Sequence, residues 1–322
     1  MNKQEVRQSV IKTSGRGFEA LLFLVTLLWG TTFVAQSVAM DDLPPFSYVF
    51  ARFLVSGVIL LCVTLCRDGL RKLRKQPSVP CDRRQTLLGG AITGAALFAA
   101  SIVQQMGLVT TTVGEASFIN TFYIILVPVA GVFFGIKATG RLWIGVLISL
   151  AGLYLISVEQ GLHVTTGNAY VFLGAILFTV QILVIDHFSQ NADLMWYAVI
   201  EFFVIAILSL LLSLLFEQAT WQQYRAALIP ILYAGIVSGA FCYTMQNVCQ
   251  KHLDPTLASL IMGTEAVFAT ISGYLILHET LSLRKLIGCG LVLIAVAIVL
   301  TSGKKVLTVE GEQIECYDIS EK

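Results

Sequence analysis

The residues of this chain that could do chemistry are polar side chains set inside long apolar segments. Hydrocarbon penalises polar groups unless they face protein or water, so such residues mark solute or ion paths. They recur three or four positions apart, which places each group on one face of a helix. The alternative is interhelical hydrogen bonding that only holds the helices together. We predict that they line a substrate-binding cavity: Trp29, Thr32, Gln36, Gln104, Gln105, Asn120, Tyr123, Tyr243, Gln246, Asn247 and Glu265.

Glu265 is the most informative of these residues. It lies on one stripe with Ser259 and Met262, about ten residues into its apolar segment. At about 1.5 Å per helical residue this is about 15 Å deep, close to the bilayer centre. A carboxylate there costs roughly 2.5–3.5 kcal/mol unless it is protonated, paired or hydrated. Three roles remain open: coupling protons to transport, anchoring a substrate amine, or acting as a structural acid within the helix bundle.

Arg52 and Glu201 are two further charged residues within apolar segments. Each lies about seven residues inside its segment, at opposite ends, so we expect their side chains to extend towards opposite membrane interfaces. On this interpretation the two residues do not pair with each other.

No catalytic or metal-binding motif accompanies these polar groups. The chain contains no HExxH, GxSxG, Walker or GxGxxG sequence, and its seven cysteines include no CxxC pair. We therefore expect no enzyme activity, no metal site, no cofactor and no disulfide framework. The net charge of +1 gives no reason to expect nucleic acid as a partner.

Composition indicates a polytopic membrane protein. Of 322 residues, 56% are apolar and 13% are charged, against about 25% charged in soluble domains. Crossing the hydrocarbon core takes roughly 20 helical residues, and ten segments come close to that length. We predict an all-α protein with ten transmembrane helices: Phe18–Ala39, Phe46–Cys66, Thr86–Met106, Val113–Phe134, Arg141–Val158, Asn168–Phe188, Leu194–Phe216, Leu228–Val248, Pro255–Leu277 and Arg284–Thr301.

The ten predicted helices divide into two similar halves of five. Because five is odd, the second half enters the membrane from the opposite face, as in the inverted repeats of secondary transporters. We predict a first repeat over 18–158, a second over 168–302, and cytoplasmic tails over 1–17 and 303–322. Equivalent residues lie 142 to 149 positions apart, and they include Arg52 with Glu201, Gln104 with Gln246, and Tyr123 with Glu265.

Basic residues predict the orientation of the chain. With the N-terminus inside, 17 of the 21 Lys and Arg residues fall on the inner side. Arg225, Arg284 and Lys285 fall outside, and Arg52 lies within a helix. Because positively charged loops stay in the cytoplasm, both termini are expected there. The protein is thus expected to be a multi-pass protein of the plasma membrane, or cell inner membrane.

Short motifs within the predicted helices also carry information. They are Leu28-Trp29-Gly30, Arg52-Phe53, Pro128, His278-Glu279-Thr280 and Gly288, in two units that together cover Phe18 to Ser302. In this arrangement the chain resembles the EamA family of the drug/metabolite transporter superfamily. The resemblance implies a ten-helix exporter of small metabolites, often amino acids, with a cavity between the halves and the fifth and tenth helices at the periphery. The chain departs from the family pattern at Lys137, where Glu is common, and at Phe178-Thr179, where Trp-Gly is common.

Together these features predict a secondary transporter in the lipid bilayer. It would move a small-molecule solute, zwitterionic or amine-bearing, by alternating access, and protons are the candidate coupling ion. The alternative is an uncoupled facilitator or channel, while a receptor or membrane enzyme is the least supported class. The sequence leaves the substrate, the direction of transport, the coupling ion and the oligomeric state open.

Overall fold

Ten long helices form the fold, which a computed structural model describes over residues 16–75, 81–133, 140–157 and 165–301. No β-strand occurs in these ranges. Nine helices there are long and apolar enough to cross a membrane, and the fifth is a shorter apolar helix. The prediction of an all-α, ten-helix protein is confirmed. The helices are α1 (Arg16–Ala39), α2 (Pro45–Leu73), α3 (Arg83–Leu108), α4 (Val113–Phe133), α5 (Gly140–Ser157), α6 (Thr166–Phe188), α7 (Leu194–Phe216), α8 (Leu228–His252), α9 (Pro255–Leu277) and α10 (Leu283–Thr301).

Several predicted features fall on residues that the structure does not describe. The predicted helix ends at Phe134 and Val158, the departure at Lys137, and both tails except Arg16 and Gly17 lie outside the described residues. Within them, the largest difference is at α2, which continues from the predicted end at Cys66 to Leu73. A prediction from hydropathy places the helix end where the charged residues begin. In the structure these charged residues continue the helix beyond its apolar part.

Five of the ten long helices begin at polar residues that cap them. An oxygen of each capping side chain accepts a hydrogen bond from a backbone N–H of the first turn, which would otherwise be unsatisfied. A short helix, Trp221–Ala226, joins α7 to α8 and is capped in the same way. The capping residues are Asp82 for α3, Thr112 for α4, Thr165 for α6, Asp193 for α7, Thr220 for the short helix and Asp254 for α9.

The two halves interlock rather than lying side by side. Helix α2 packs against α7 and α5 against α10, so each pairs with its equivalent in the other half. Helix α3 packs on α6 and α7, and the equivalent contacts join α8 to α1 and α2. The α5–α10 contact is close: a Cβ atom added at Gly288 would lie 2.5 Å from the Gly152 carbonyl oxygen. Only glycine allows the two backbones to approach so closely.

Helices α4 and α9 are each broken at equivalent positions. Helix α4 consists of Val113–Asn120 and Tyr123–Phe133, and α9 of Pro255–Met262 and Glu265–Leu277. At both breaks, backbone N–H groups donate to the carbonyl oxygen three residues earlier rather than four, as in a 3₁₀ turn. Pro128 lies inside the second segment of α4, so proline does not cause that break.

Helix α8 carries a different irregularity. Its middle part, Ala234–Tyr243, is π-helical, between α-helical segments on either side. Glycines in this part lie against α2: a Cβ added at Gly239 would clash with the Ser56 side chain, and one at Gly235 would lie 2.9 Å from the Arg52 carbonyl oxygen. A π-helical stretch widens the helix and often occurs at functional sites.

Candidate solute-binding site

A polar cavity lies between the two halves. Three helices of the first half, α1, α3 and α4, and their equivalents α6, α8 and α9 supply its walls. Helices α2, α5, α7 and α10 contribute no side chain to it. The lining residues are Trp29, Phe33, Gln36, Gln104, Asn120, Tyr123, Phe178, Gln181, Ile182, Ser238, Tyr243, Gln246, Met262 and Glu265.

The lining follows the internal repeat. Trp29 and Phe178 are equivalent at an offset of 149 residues, and Gln104 and Gln246 at an offset of 142. The repeat therefore brings the same helices of both halves to one cavity, while the side chains at equivalent positions differ. The clearest difference is at the two helix breaks, where Tyr123 begins the second segment of α4 and Glu265 begins that of α9.

Eight of the eleven predicted site residues lie in the lining. Thr32, Gln105 and Asn247 do not, because each side chain is turned to another partner. The Thr32 hydroxyl donates to the Leu28 carbonyl oxygen at 2.8 Å. The Gln105 side-chain amide donates to the backbone carbonyl oxygen of Gln36 at 3.3 Å. These three residues are buried behind the cavity wall.

The prediction omitted several lining residues. Phe178 and Ile182 are equivalent by the 149-residue offset to Trp29 and Phe33, so the repeat could have identified them once Trp29 was chosen. Met262 lies on the predicted Glu265 stripe and does line the cavity. Gln181 lies at the same 149-residue offset from the predicted Thr32, so the repeat could have identified it as well. No sequence signal distinguishes Phe33 and Ser238 from ordinary apolar or small polar residues. The omitted residues are Phe33, Phe178, Gln181, Ile182, Ser238 and Met262.

Among the described residues that line the cavity, Glu265 is the only one with a carboxyl group. The Asn120 side-chain amide donates a hydrogen bond to it at 2.8 Å. The buried Tyr123 hydroxyl lies near the same carboxyl group but has no hydrogen-bond partner in the described part of the protein. Glu265 also begins the second segment of α9, where the helix dipole favours a negative charge. Among the described residues, no cationic side chain forms an ion pair with it. A cationic group of a solute could therefore pair with this carboxylate.

Aromatic rings form one wall beside these polar groups. The Trp29 and Tyr243 rings lie 5.1 Å apart between centroids, and Phe53 lies behind Tyr243 at 5.9 Å. The Trp29 indole N–H and the Gln246 amide oxygen are buried without a hydrogen-bond partner in the described part of the protein. Buried polar groups are costly when unpaired, so these atoms favour a polar occupant.

The cavity is small in this conformation. It offers about 30 Å³ to the centres of water molecules, whereas one water needs roughly 10–15 Å³ by this measure. Two or three waters fit, but a metabolite of amino-acid size does not. The described conformation is thus a contracted one, and a solute of that size requires the walls to separate.

Arg52 and Glu201 differ from the sequence prediction. Neither extends to an interface: Arg52 is 2% exposed and Glu201 is fully buried. The Arg52 guanidinium donates to the Gln36 amide oxygen at 2.8 Å, and the Asn247 amide donates to Glu201 at 2.8 Å. Amide groups of neighbouring helices hold both side chains inside the bundle, which hydropathy along the chain could not reveal. Both residues lie behind the cavity. Arg52 bonds to Gln36, which lines the cavity, and Glu201 bonds to Asn247, which is buried behind the cavity wall.

Comparisons with known proteins agree with this architecture. The chain is 26% identical over 279 residues to an "Uncharacterized transporter" of Archaeoglobus fulgidus, covering 86% of this chain and 84% of that protein. It is 25% identical over 294 residues to the "Uncharacterized inner membrane transporter YedA" of Escherichia coli K12, covering 88% and 90%. A solved structure titled "Crystal structure of protein" shares the fold, with a TM-score of 0.72 and 19% identity over 89% of this chain and 97% of that one.

A family comparison covers both halves separately. The model of the EamA-like transporter family matches residues 18–158 and again 165–301. The two matches coincide with the two sets of five helices that surround the cavity. This multi-pass membrane protein belongs to the EamA-like transporter family.

Proposed function

We propose that the chain is a secondary transporter that carries a small amine-bearing or zwitterionic solute through the cavity between its halves. The observation that supports this most strongly is the convergence of six repeat-related helices on a polar cavity with a single carboxylate, Glu265. A solute ammonium group would pair with that carboxylate. The ring faces of Trp29 and Tyr243 attract cations as well.

Alternating access is the mechanism that we propose. A solute larger than a few waters requires the halves to move apart, and the breaks in α4 and α9 are places where the backbone can bend. Because the halves are inverted, exchanging their conformations would turn an opening on one face into an opening on the other. The solute would meet the same cavity residues from either side.

Proton coupling is proposed to occur at Glu265. Its carboxylate can hold either a proton or the ammonium group of a solute, but not both. Asn120 can donate its hydrogen bond to the ionised acid or to the carbonyl oxygen of the protonated one. Proton binding on one side of the membrane would therefore release the solute, and exchange would follow.

The proposed location is the plasma membrane, with both termini in the cytoplasm. The support is the distribution of charge, since the end of α2 and the beginning of α3 together carry seven of the fourteen Lys and Arg residues in the described part. Export of a cytoplasmic metabolite in exchange for external protons would follow the gradient that such membranes maintain.

A two-stage experiment tests the proposal. Purified protein is screened against a metabolite library by thermal unfolding, because a ligand that binds only the native state raises the unfolding midpoint. Each solute that raises it is then loaded into proteoliposomes with an imposed pH gradient. We expect accumulation against the solute gradient, driven by protons, and no midpoint shift from an analogue whose amine is replaced by hydroxyl. Equilibration without accumulation would identify an uncoupled facilitator instead.

A further inference from the structure

A second cavity lies at the end of the bundle that carries the α2–α3 connection. It is formed by the end of α2 and the beginnings of α3 and α7, away from the central cavity. It offers about 430 Å³ to the centres of water molecules, far more than the central cavity does in this conformation. The proposed transport path does not use it.

The walls of this second cavity carry excess positive charge. Arg71, Lys72 and Arg83 line it, together with the carboxylates of Asp68 and Asp193. Both carboxylates already have partners outside that set of cations. Arg67 donates to Asp193 through two nitrogens at 2.9 and 2.7 Å and to Asp68 at 2.9 Å, and the Trp196 indole donates to Asp68 at 2.9 Å.

These contacts leave Lys72 and Arg83 available to an anion, whereas Arg71 also interacts with the Asp68 carboxylate. Lys72 and Arg83 are exposed, and neither forms an ion pair with another described residue. The bidentate pair between Arg67 and Asp193 joins α2 to α7, so the cavity wall is built before any ligand binds. Clusters of basic residues at the cytoplasmic end of membrane helices are suited to phosphate groups of anionic lipids.

Apolar side chains complete the same cavity. Leu87 is 58% exposed, and Ile200 lies partly exposed on α7. Trp196 also lines the cavity, where it is half-buried and its indole N–H bonds to Asp68. Tryptophan is enriched at membrane interfaces, where one part of the ring is apolar and the other polar. A soluble phosphate needs only the charged rim, whereas a phospholipid also places acyl chains against such apolar side chains.

We propose that this second cavity binds the phosphate headgroup of an anionic phospholipid. Lys72 and Arg83 contact the phosphate, Arg71 lies beside them, and the acyl chains follow Leu87 and Ile200. A lipid held in this way would brace the α2–α7 pair, which connects the two halves of the protein.

The test compares two charge-matched variants of the full chain. Lys72→Gln/Arg83→Gln removes one Lys and one Arg that line the cavity. Lys75→Gln/Arg84→Gln removes one Lys and one Arg from the same connection that do not line it. Each purified protein is titrated in detergent with phosphatidylglycerol, phosphatidylcholine or inorganic phosphate, and bound lipid is counted by native mass spectrometry.

We expect wild type to bind phosphatidylglycerol more tightly than phosphatidylcholine. The lining variant should weaken phosphatidylglycerol binding about thirtyfold, from roughly 1 kcal/mol for each cation near the phosphate. The control variant removes the same net charge but leaves the cavity lining intact. It should weaken binding less than about threefold, because exposed charges away from the phosphate are screened by salt. Inorganic phosphate should not displace the lipid at comparable concentration.

Two results would overturn the proposal. Equal weakening by both variants would mean that only the general positive charge of this end attracts the lipid. Inorganic phosphate that binds as tightly as phosphatidylglycerol would assign the cavity to a soluble phosphate compound. Unfolding midpoints measured without lipid establish that both variants are folded, and Arg83→Gln alone provides a milder variant if the double one is not.

Discussion

Asn120 and Glu265 connect the two halves of the protein across the cavity. The Asn120 amide donates to the Glu265 carboxylate at 2.8 Å, and each residue borders the break in its own helix, α4 or α9. Separation of the two halves at this point would break the hydrogen bond, and their closure would restore it. Any group that competes for the Glu265 carboxylate therefore also affects how the halves meet.

Replacing Glu265 with glutamine tests proton coupling. The amide preserves shape and still accepts from Asn120, but it cannot ionise. We expect Glu265→Gln to lose pH-dependent accumulation and to bind the solute more weakly, because an amide cannot pair with an ammonium group. Exchange of the solute at equal, saturating concentrations should persist. Stability should change little, because an amide costs no more than a protonated acid. Transport is measured in proteoliposomes with and without a pH gradient.

The matched control for that variant is Glu201→Gln. Glu201 is also buried and also accepts from an asparagine, but it does not line the cavity. The Glu201→Gln variant should keep the pH dependence of transport. Coupling retained in Glu265→Gln and lost in Glu201→Gln would transfer the proposed role to Glu201. Unchanged solute affinity in Glu265→Gln would contradict pairing of the solute ammonium group with Glu265.

The paired glutamines test whether the polar residues serve transport or packing. Gln104→Ala and Gln246→Ala should each weaken apparent solute affinity about two- to tenfold, the effect of one lost hydrogen bond. Expression and monodispersity should remain, because both side chains border the cavity. Gln222→Ala, on the exposed short helix, is the control. Misfolding of both cavity variants without a specific transport defect would mean that the glutamines hold the bundle together.

Labelling of cysteines tests the orientation. Cys81 and Arg225 are both exposed, at opposite ends of the predicted topology. In intact cells a membrane-impermeant thiol reagent should miss Cys81 but label Arg225→Cys, each as the only cysteine of its variant. Permeabilised cells should label both, which controls for accessibility. The opposite pattern in intact cells would reverse the topology.

Glycine packing between α5 and α10 predicts a local stability effect. A methyl group at Gly288 would meet the Gly152 carbonyl oxygen at 2.5 Å, whereas one at Gly290 meets no atom within 4 Å. Gly288→Ala should lower stability by about 1–3 kcal/mol, as overpacking does, and Gly290→Ala should not. Thermal unfolding in detergent measures both. Equal midpoints for the two variants would contradict the close α5–α10 contact.

The Arg67–Asp193 pair predicts a pH-dependent contribution to stability. Burial disfavours the Asp193 carboxylate, but the hydrogen bonds and charge of Arg67 outweigh burial and hold the pKa of Asp193 below its usual value. Because the folded-state pKa lies below the unfolded value of about 3.9, the contribution is present above that pH. It is lost as pH falls through the folded-state pKa.

Asp193→Asn keeps a capping side chain for α7 but removes the charge. It should destabilise the protein by about 1–3 kcal/mol near neutral pH, and the difference from wild type should shrink as the pH falls below about 4. Unfolding midpoints across this range provide the measurement. Asp82→Asn, at the exposed cap of α3, should show little change. A difference that persists unchanged in acid would exclude the ion pair as its source.

The number of helices, the internal repeat and the main polar residues of the cavity could be read from the sequence. The length of an apolar segment is a local property of the sequence, and a lipid environment enforces it strictly. The ten helices therefore follow from the positions and lengths of the apolar segments. The offset that relates Gln104 to Gln246 likewise needs no structure. Polar residues in apolar helices are rare enough that eight of the eleven chosen on this basis line one cavity.

Only the tertiary structure decided how these residues are used. The helix breaks beside Asn120 and Glu265 and the π-helical part of α8 have no distinctive residue pattern, because they depend on contacts between helices. Arg52 and Glu201 could have reached the interfaces, but amide groups of neighbouring helices hold them inside. Packing of the helices of one half against those of the other also determined the size of the cavity. Hydropathy determines which segments enter the membrane, whereas the faces they present to one another are determined by side chains distant in the chain.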